Sequence, residues 1–406
     1  MAKHSRTIGL MATLAALAVG AVACSSEGSE SVAAAQAPAR QTTAQTQGSP
    51  WATLGVPQPE KGGDDIAGPY TLAANWPENV CGAGYQGGSV GGVFAETLDR
   101  VFVFQRGCLP VIEPSEVVPE RNASGFDLSQ KDPARHPRWD HILLIYNRDG
   151  KLLESWEQHN KLFVRPHRVK INPNDRQKHV WLIDDGAHSI YKFTNDGKTL
   201  VMKLGEFRVP GKDQTHFGRP TDVAWLPNGD FFVSDGYTNT RVVKFNQDGK
   251  YLLEWGQPGE AGKETRPSYF NTVHGVVVDN QRRVYVGDRA NRRVQVFDEN
   301  GKYLNEWYTH FPYYIYMSND QHLWVGDGQT NKILKYDLNG KLLYSWGTFG
   351  NMPGGIWGPH QFSVDSNNNL YIADVHVGRV QKFEPKPGVN PALLVGQRAS
   401  GVSTTN

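Results

Sequence analysis

The sequence predicts an all-β chain folded as a six-bladed β-propeller, and three observations carry that expectation. An imperfect repeat runs through the chain in six copies, with a period of roughly 40 to 55 residues. Each copy resolves into short strands rich in Val, Ile, Phe and Tyr, separated by Asn/Asp-Gly turns. The second strand of nearly every copy closes on an Asp. A solenoid or stacked sandwiches could show similar alternation. Antiparallel four-strand units with a repeated Asp corner select the ring, because radial closure leaves few exposed strand edges.

The first strands begin Val90-Gly91-Gly92-Val93, Pro166-His167-Arg168-Val169, Pro220-Thr221-Asp222-Val223, Val273-His274-Gly275-Val276, Pro312-Tyr313-Tyr314-Ile315 and Pro359-His360-Gln361-Phe362. Polar turns such as Pro227-Asn228-Gly229-Asp230 lead into second strands at Val101–Phe104, Val180–Asp185, Phe231–Asp235, Val284–Asp288, Leu323–Asp327 and Leu370–Asp374. Third strands read Ile190–Phe193, Arg241–Phe245, Arg293–Phe297, Ile333–Tyr336 and Arg379–Phe383. An Asn-x-Asp-Gly-Lys type of turn then precedes fourth strands at Leu152–Trp156, Tyr251–Trp255, Tyr303–Trp307 and Leu342–Trp346. Ala392–Val395 is expected to be the fourth strand of the last blade. The first copy is irregular: after Arg106-Gly107-Cys108 an insertion runs to about Arg138 before His141–Tyr146 resumes the pattern. Long loops in compact domains are functional or disordered, and this one is expected to cover one face of the ring.

The 406 residues, 39% of them hydrophobic, suffice for one large core. A formal net charge of +1 leaves no electrostatic footprint for nucleic acid. Residues 1–24 combine a basic start (Lys3, Arg6), an apolar run from Ile8 to Val22 and Ala21-Val22-Ala23-Cys24, which reads as an export signal. Two processing routes are open: lipidation of Cys24 as the new N-terminus, or ordinary cleavage after Ala-x-Ala. The chain is therefore expected to be exported, as an envelope lipoprotein touching the membrane through that anchor alone, or secreted. Residues 25–65 read as a flexible tether, 66–400 as the propeller and 401–406 as a disordered tail. With Cys24 set aside, Cys81 and Cys108 form an even pair; a disulfide is the reading for an oxidising compartment, two free thiols the alternative. A monomer is expected.

Histidine occupies one fixed point of the repeat in copies two, four and six: His167, His274 and His360. In a closed ring these side chains would sit about 120° apart around one axis. Three imidazoles with an open fourth position suit a catalytic Zn²⁺. The alternative is a position that accepts any mid-sized polar group facing a water-filled channel, as Thr221 and Tyr313 allow. The repeated Asp residues argue against catalysis, which needs one or two such groups, and suit blade corners bonded to backbone N–H groups. The residues at the strand exits differ between copies: Tyr237, Arg289 and Arg106 lie there, on the rim of the channel. A Tyr close to Arg and a metal can act as a base; a surface aromatic with corner ion pairs is the other reading.

Over roughly residues 85–385 the chain resembles the NHL-repeat propellers and, within them, the peptidyl-α-hydroxyglycine α-amidating lyases. The stretches that carry the resemblance are Gly218–Ala224 with Val233–Asn239, then Val273-His274-Gly275 and Gly358-Pro359-His360. The resemblance implies zinc on His167, His274 and His360, a catalytic role for Tyr237 and Arg106, and substrate contacts from Arg106 and Arg289. It further implies cleavage of R–CO–NH–CH(OH)–COO⁻ to an amide and glyoxylate, so the partner would be a small-molecule or peptide α-hydroxyamide. Gln361 stands where that family has an Asp that binds calcium, which argues against Ca²⁺. The family's disulfides have no counterpart in Cys81 and Cys108, and the copper monooxygenase that makes the substrate is absent from this chain. Two further readings compete: a non-catalytic propeller binding a protein, peptide or envelope ligand, and a metal-dependent hydrolase on the same scaffold.

Overall fold

The computed structural model describes residues 66–111 and 136–396. The export segment with Cys24, the tether, the tail and most of the insertion after Pro110 lie outside the described residues. Among the described residues, no helix is long and apolar enough to cross a membrane.

The strands form six four-stranded antiparallel sheets, each a blade. Blade 1 is Val90–Thr97, Arg100–Gln105, Leu143–Tyr146 and Leu152–Ser155; blade 2 is Pro166–Ile171, Val180–Asp184, Ser189–Phe193 and Leu200–Leu204. Blade 3 is Pro220–Trp225, Phe231–Asp235, Arg241–Phe245 and Tyr251–Trp255; blade 4 is Val273–Val278, Val284–Asp288, Arg293–Phe297 and Tyr303–Tyr308. Blade 5 is Pro312–Met317, Leu323–Asp327, Lys332–Tyr336 and Leu342–Trp346; blade 6 has Pro359–Val364, Leu370–Asp374 and Arg379–Pro385. The inner strand of each blade touches that of the next, and blade 6 touches blade 1, so the ring closes.

The fourth strand of blade 6 is not Ala392–Val395, as the repeat suggests. Tyr70–Leu72 fills that place, antiparallel to Arg379–Pro385, while Pro391–Leu393 is a short 3₁₀ turn. Tyr70–Leu72 thus gives Arg379–Pro385 its outer ladder partner and ties the first described strand to the last blade.

Apolar side chains gather between neighbouring blades rather than at the ring centre. One cluster joins blades 1 and 2 through Phe102, Phe104, Leu182 and Phe193, and others continue around the ring to Val93, Val103, Tyr371 and Ala373 between blades 1 and 6. The repeated fourth-strand Trp packs against the turn glycine of the next blade. A Cβ on Gly197, Gly301 or Gly340 would lie 2.4, 2.9 or 2.5 Å from Trp156, Trp255 or Trp307, and all three glycines have positive φ.

The corner carboxylates bind backbone. Asp235 accepts from Gly218 N at 2.8 Å, Asp288 from Asn271 N at 2.7 Å, Asp327 from Phe311 N at 2.6 Å and Asp374 from Trp357 N at 2.7 Å. In blade 2 the corner residue is Asp184, one position earlier than the Asp185 expected from sequence; it accepts from Val164, Arg165 and Ala187. Each such bond ties the entry loop of a blade to the end of its second strand, which fixes where the inner strand begins.

Candidate metal centre

Every inner strand carries a β-bulge at its start. The ladder skips from Val90 to Gly92, Pro166 to Arg168, Pro220 to Asp222, Val273 to Gly275, Pro312 to Tyr314 and Pro359 to Gln361. The skipped residues are Gly91, His167, Thr221, His274, Tyr313 and His360, the variable point of the repeat. A bulge frees one residue from the ladder and re-aims its side chain. The inner strands therefore direct these six residues toward the ring axis.

His167, His274 and His360 are buried there, with one ligand atom from each within 4.8 Å of the others. His167 Nδ1 lies 2.6 Å from Thr221 O, His274 Nδ1 2.6 Å from Tyr313 O and His360 Nδ1 2.7 Å from Gly91 O. A carbonyl oxygen only accepts, which sets the proton of His167 on Nδ1; Nδ1 of His360 and of His274 faces Arg168 Nη1 at 2.5 Å and Nη2 at 3.4 Å besides its carbonyl. With the proton on Nδ1 each histidine donates to the bulge carbonyl of the following blade, and its Nε2 is the atom left to bind a metal. The Nε2 atoms of His167 and His274 are 3.3 Å apart. Tetrahedral Zn–N bonds of about 2.0–2.1 Å require nitrogens about 3.3 Å apart. Burial first, then the positive charge of Arg168 and Arg289 or Arg106, holds all three imidazoles well below their ordinary pKa, in the neutral form that binds metals. The donor set fits a cation of the zinc type.

Tyr237 reaches the same point. Its Oη lies 2.8 Å from His274 Nε2 and 3.2 Å from His167 Nε2. The corner before it approaches blade 4 closely: a Cβ on Gly236 would fall 1.7 Å from Val273 O. Only glycine allows Tyr237 and His274 to meet in this way. Arg219, Arg289 and Arg165 place guanidinium carbons 4.5, 5.1 and 5.3 Å from the Tyr237 ring centroid. Arg165 and Arg219 both bind the buried Asp185 carboxylate, at 2.8 and 2.9 Å. Burial would lower Arg165, but Asp185 and Tyr237 beside it hold it above its ordinary value.

Arg106 donates from Nε to Pro166 O at 3.2 Å and from Nη1 to Ser89 Oγ at 3.2 Å. Burial, then Arg165, pushes it down to about 10. Arg106 Nη2 and Arg289 Nε are buried with no hydrogen-bond partner among the described residues. The Cys81–Cys108 disulfide is present, with Cα atoms 5.7 Å apart. Cys108 lies in Cys108–Pro110, paired with Tyr85–Gly87, two residues beyond Arg106.

Under the histidines lies a side chain that sequence alternation assigns elsewhere. Arg168 comes directly after His167 and would face away in a regular strand, but residues flanking a bulge share a side. Its guanidinium donates to Gly91 O and His167 O, both at 3.3 Å, and to Tyr313 O at 2.7 Å. Gln361 donates to Val169 O at 2.8 Å, and Lys170 pairs with Asp222 at 2.9 Å in the same layer. Calcium needs six to eight oxygen ligands. Here the axial carbonyls are already held by a cation of the chain itself, so calcium does not fit. Arg165, Arg219 and Asp185 were also missed from sequence; the available signal was an Arg directly before the inner-strand Pro in blades 2 and 3.

The ring and its centre define the class: a six-bladed β-propeller carrying NHL repeats, which a family model matches at residues 270–297 and 357–383. The chain is similar to peptidyl-α-hydroxyglycine α-amidating lyases. It is 38% identical over 156 residues to a probable lyase of this name from Caenorhabditis elegans, covering 38% of this chain and 42% of that one. It is 35% identical over 175 residues to peptidyl-alpha-hydroxyglycine alpha-amidating lyase 1 of Drosophila melanogaster, covering 41% and 31%. The chain thus spans less than half the length of these relatives. A Bacteroides thetaiotaomicron protein of unknown function shares the fold, with TM-score 0.50 and 13% identity over 79% of this chain and 75% of that one.

Proposed function

We propose that this chain is a zinc-dependent lyase that cleaves an α-hydroxyglycine amide to the amide and glyoxylate. The observation that carries the reading is the convergence of three Nε2 lone pairs with the Tyr237 hydroxyl inside a mouth lined by arginines. A zinc ion held by His167, His274 and His360 would supply a Lewis acid for the substrate hydroxyl oxygen.

The chain's own groups do the rest. Arg106 and Arg289, with their unpartnered N–H groups, bind the carboxylate. Tyr237, acting as its phenolate, takes the hydroxyl proton, the C–O bond becomes C=O, and the C–N bond breaks. The electron pair moves to the amide nitrogen, which gains that proton from the Tyr237 hydroxyl and restores the phenolate. Reactant R–CO–NH–CH(OH)–COO⁻ then equals R–CO–NH₂ plus OHC–COO⁻, with no water consumed. The hydrolase reading would consume water, so the two differ in stoichiometry.

The test is metal content of purified protein, followed by glyoxylate release from an α-hydroxyglycine amide. About one zinc per chain and stoichiometric amide and glyoxylate are expected. Full metal content in a His167/His274/His360 triple alanine variant would overturn the centre. Zinc-loaded protein that releases no glyoxylate would move the reading to a binding propeller. We further propose that the chain is exported, either lipidated at Cys24 or secreted after ordinary cleavage, and the mass of the mature N-terminus distinguishes the two.

A further inference from the structure

The mouth above the histidines has two unlike halves. Around blades 1 to 4 it presents Arg106, Arg165, Arg219 and Arg289, of which Arg165 and Arg219 share the buried carboxylate of Asp185. Around blades 5 and 6 it presents rings. Tyr313 lies 5.9 Å from His274 and 6.1 Å from His360 by ring centroids. From there the rings run outward: Tyr313 to His376 at 6.0 Å, His376 to Trp357 at 6.1 Å and Trp357 to Phe349 at 5.2 Å.

The outer end of this run is unusual for a soluble surface. Phe349 is 56% exposed and Trp357 41% exposed, within one connection between Trp346 and Pro359. Scattered exposed apolar residues need no explanation, but a contiguous aromatic strip beside a polar centre does. The strip is also held in place. Trp357 N donates to Asp374 at 2.7 Å, Gly358 N to Asn331 at 2.8 Å, and Phe349 pairs with Ile356 in an isolated bridge. Tyr313 Oη and His376 Nε2 are 3.2 Å apart. Rings fixed by backbone bonds lose little entropy when a ligand covers them.

We infer that the aromatic half, Tyr313, His376, Trp357 and Phe349, binds the acyl side of the substrate and selects amides bearing an aromatic or large apolar acyl group. The inference rests on the lyase reading for the carboxylate end of the ligand. With the carboxylate on the arginines and the hydroxyl at the histidines, the acyl group leaves toward blades 5 and 6. The two halves then fix one orientation, since a reversed ligand would set its carboxylate on aromatic faces and leave the arginine N–H groups without an anion.

The experiment uses unreactive ligands, so that its outcome is separate from turnover. Binding of N-benzoylglycine and N-acetylglycine to the zinc-loaded full chain is measured by calorimetry. N-Benzoylglycine is expected to bind about ten to one hundredfold tighter, the range a buried phenyl group supplies. In Trp357→Ala the preference should fall to about threefold or less. Tyr308→Ala, another exposed aromatic but on the outer strand of blade 4, should leave it unchanged. Equal affinities for the two ligands, no binding of either, or a preference intact in Trp357→Ala and in a Phe349→Ala/Trp357→Ala variant would overturn the two-sided mouth. Absence of glyoxylate release with the preference present would overturn only the reaction.

Discussion

Replacing Gly236 with Ala should cripple the centre without removing a single functional group. The new Cβ would lie 1.7 Å from Val273 O. A carbon and a carbonyl oxygen need about 3.2 Å, so one of the two backbones must move by roughly 1.5 Å. Either direction of movement is damaging. Val273 precedes His274, and a displaced strand carries that ligand away, whereas a metal site tolerates about 0.2 Å in its ligand distances. If the corner yields instead, Tyr237 withdraws from its 2.8 Å contact with His274 Nε2. Zinc affinity should fall by at least about 10–100-fold, the cost of disturbing groups that orient ligands, or turnover should fall by about 10²-fold, the cost of a small misplacement. Overpacking should cost about 1–3 kcal/mol of stability, so the variant still folds. Competition against a zinc chelator and glyoxylate release give the two readouts, and thermal melting checks the fold. Wild-type zinc affinity together with wild-type turnover would refute the argument that backbone contact at Gly236 builds the centre.

Tyr237→Phe should retain zinc and lose about 10²–10⁴-fold in kcat, with KM little changed. Thr221→Ala keeps the carbonyl that accepts from His167 and should cost less than about tenfold; wild-type turnover in the tyrosine variant would shift the chemistry toward water attack. Replacing Cys81 and Cys108 by Ser opens a link of sequence separation 27, worth about 3–4 kcal/mol in the loop-entropy model. Denaturant unfolding measures that loss, and an unchanged midpoint would contradict it. Calcium added at about 10 mM to zinc-loaded protein should leave Tm unchanged, because Arg168 holds the carbonyls a calcium ion would need; a calcium-dependent rise in Tm would refute this.

The propeller was legible because its determinants are local and repeated. A turn glycine, a fourth-strand Trp and a corner Asp recur in register, and each does the same job in successive blades. The alternation of histidine through copies two, four and six was legible for the same reason. The features that escaped depend on contacts that a periodic pattern does not encode. Tyr70–Leu72 finds its partner in Arg379–Pro385 at the other end of the chain, so no nearby repeat announces it. Asp184 and Asp185 adjoin, and only the ladder shows that Asp184 pairs with Pro166 while Asp185 turns to Arg165 and Arg219. Arg168 was hidden by the bulge, which breaks the rule that adjacent strand residues face opposite ways. Tyr237, Arg106 and Arg289 stood out as departures from the repeat; their distances to the histidines came only with the folded chain.

Ring closure by Tyr70–Leu72 has a consequence for the order in which the molecule is made. A ribosome releases this strand among the first of the propeller, yet Arg379–Pro385, its ladder partner, is synthesised near the end. Five blades can assemble from neighbours in sequence as they emerge. The sixth is complete only when Arg379–Pro385 has been made and its outer edge meets Tyr70–Leu72. The earliest strand is thus the last to be paired, and closure of the longest loop in the fold is the step that converts an open arc into a ring.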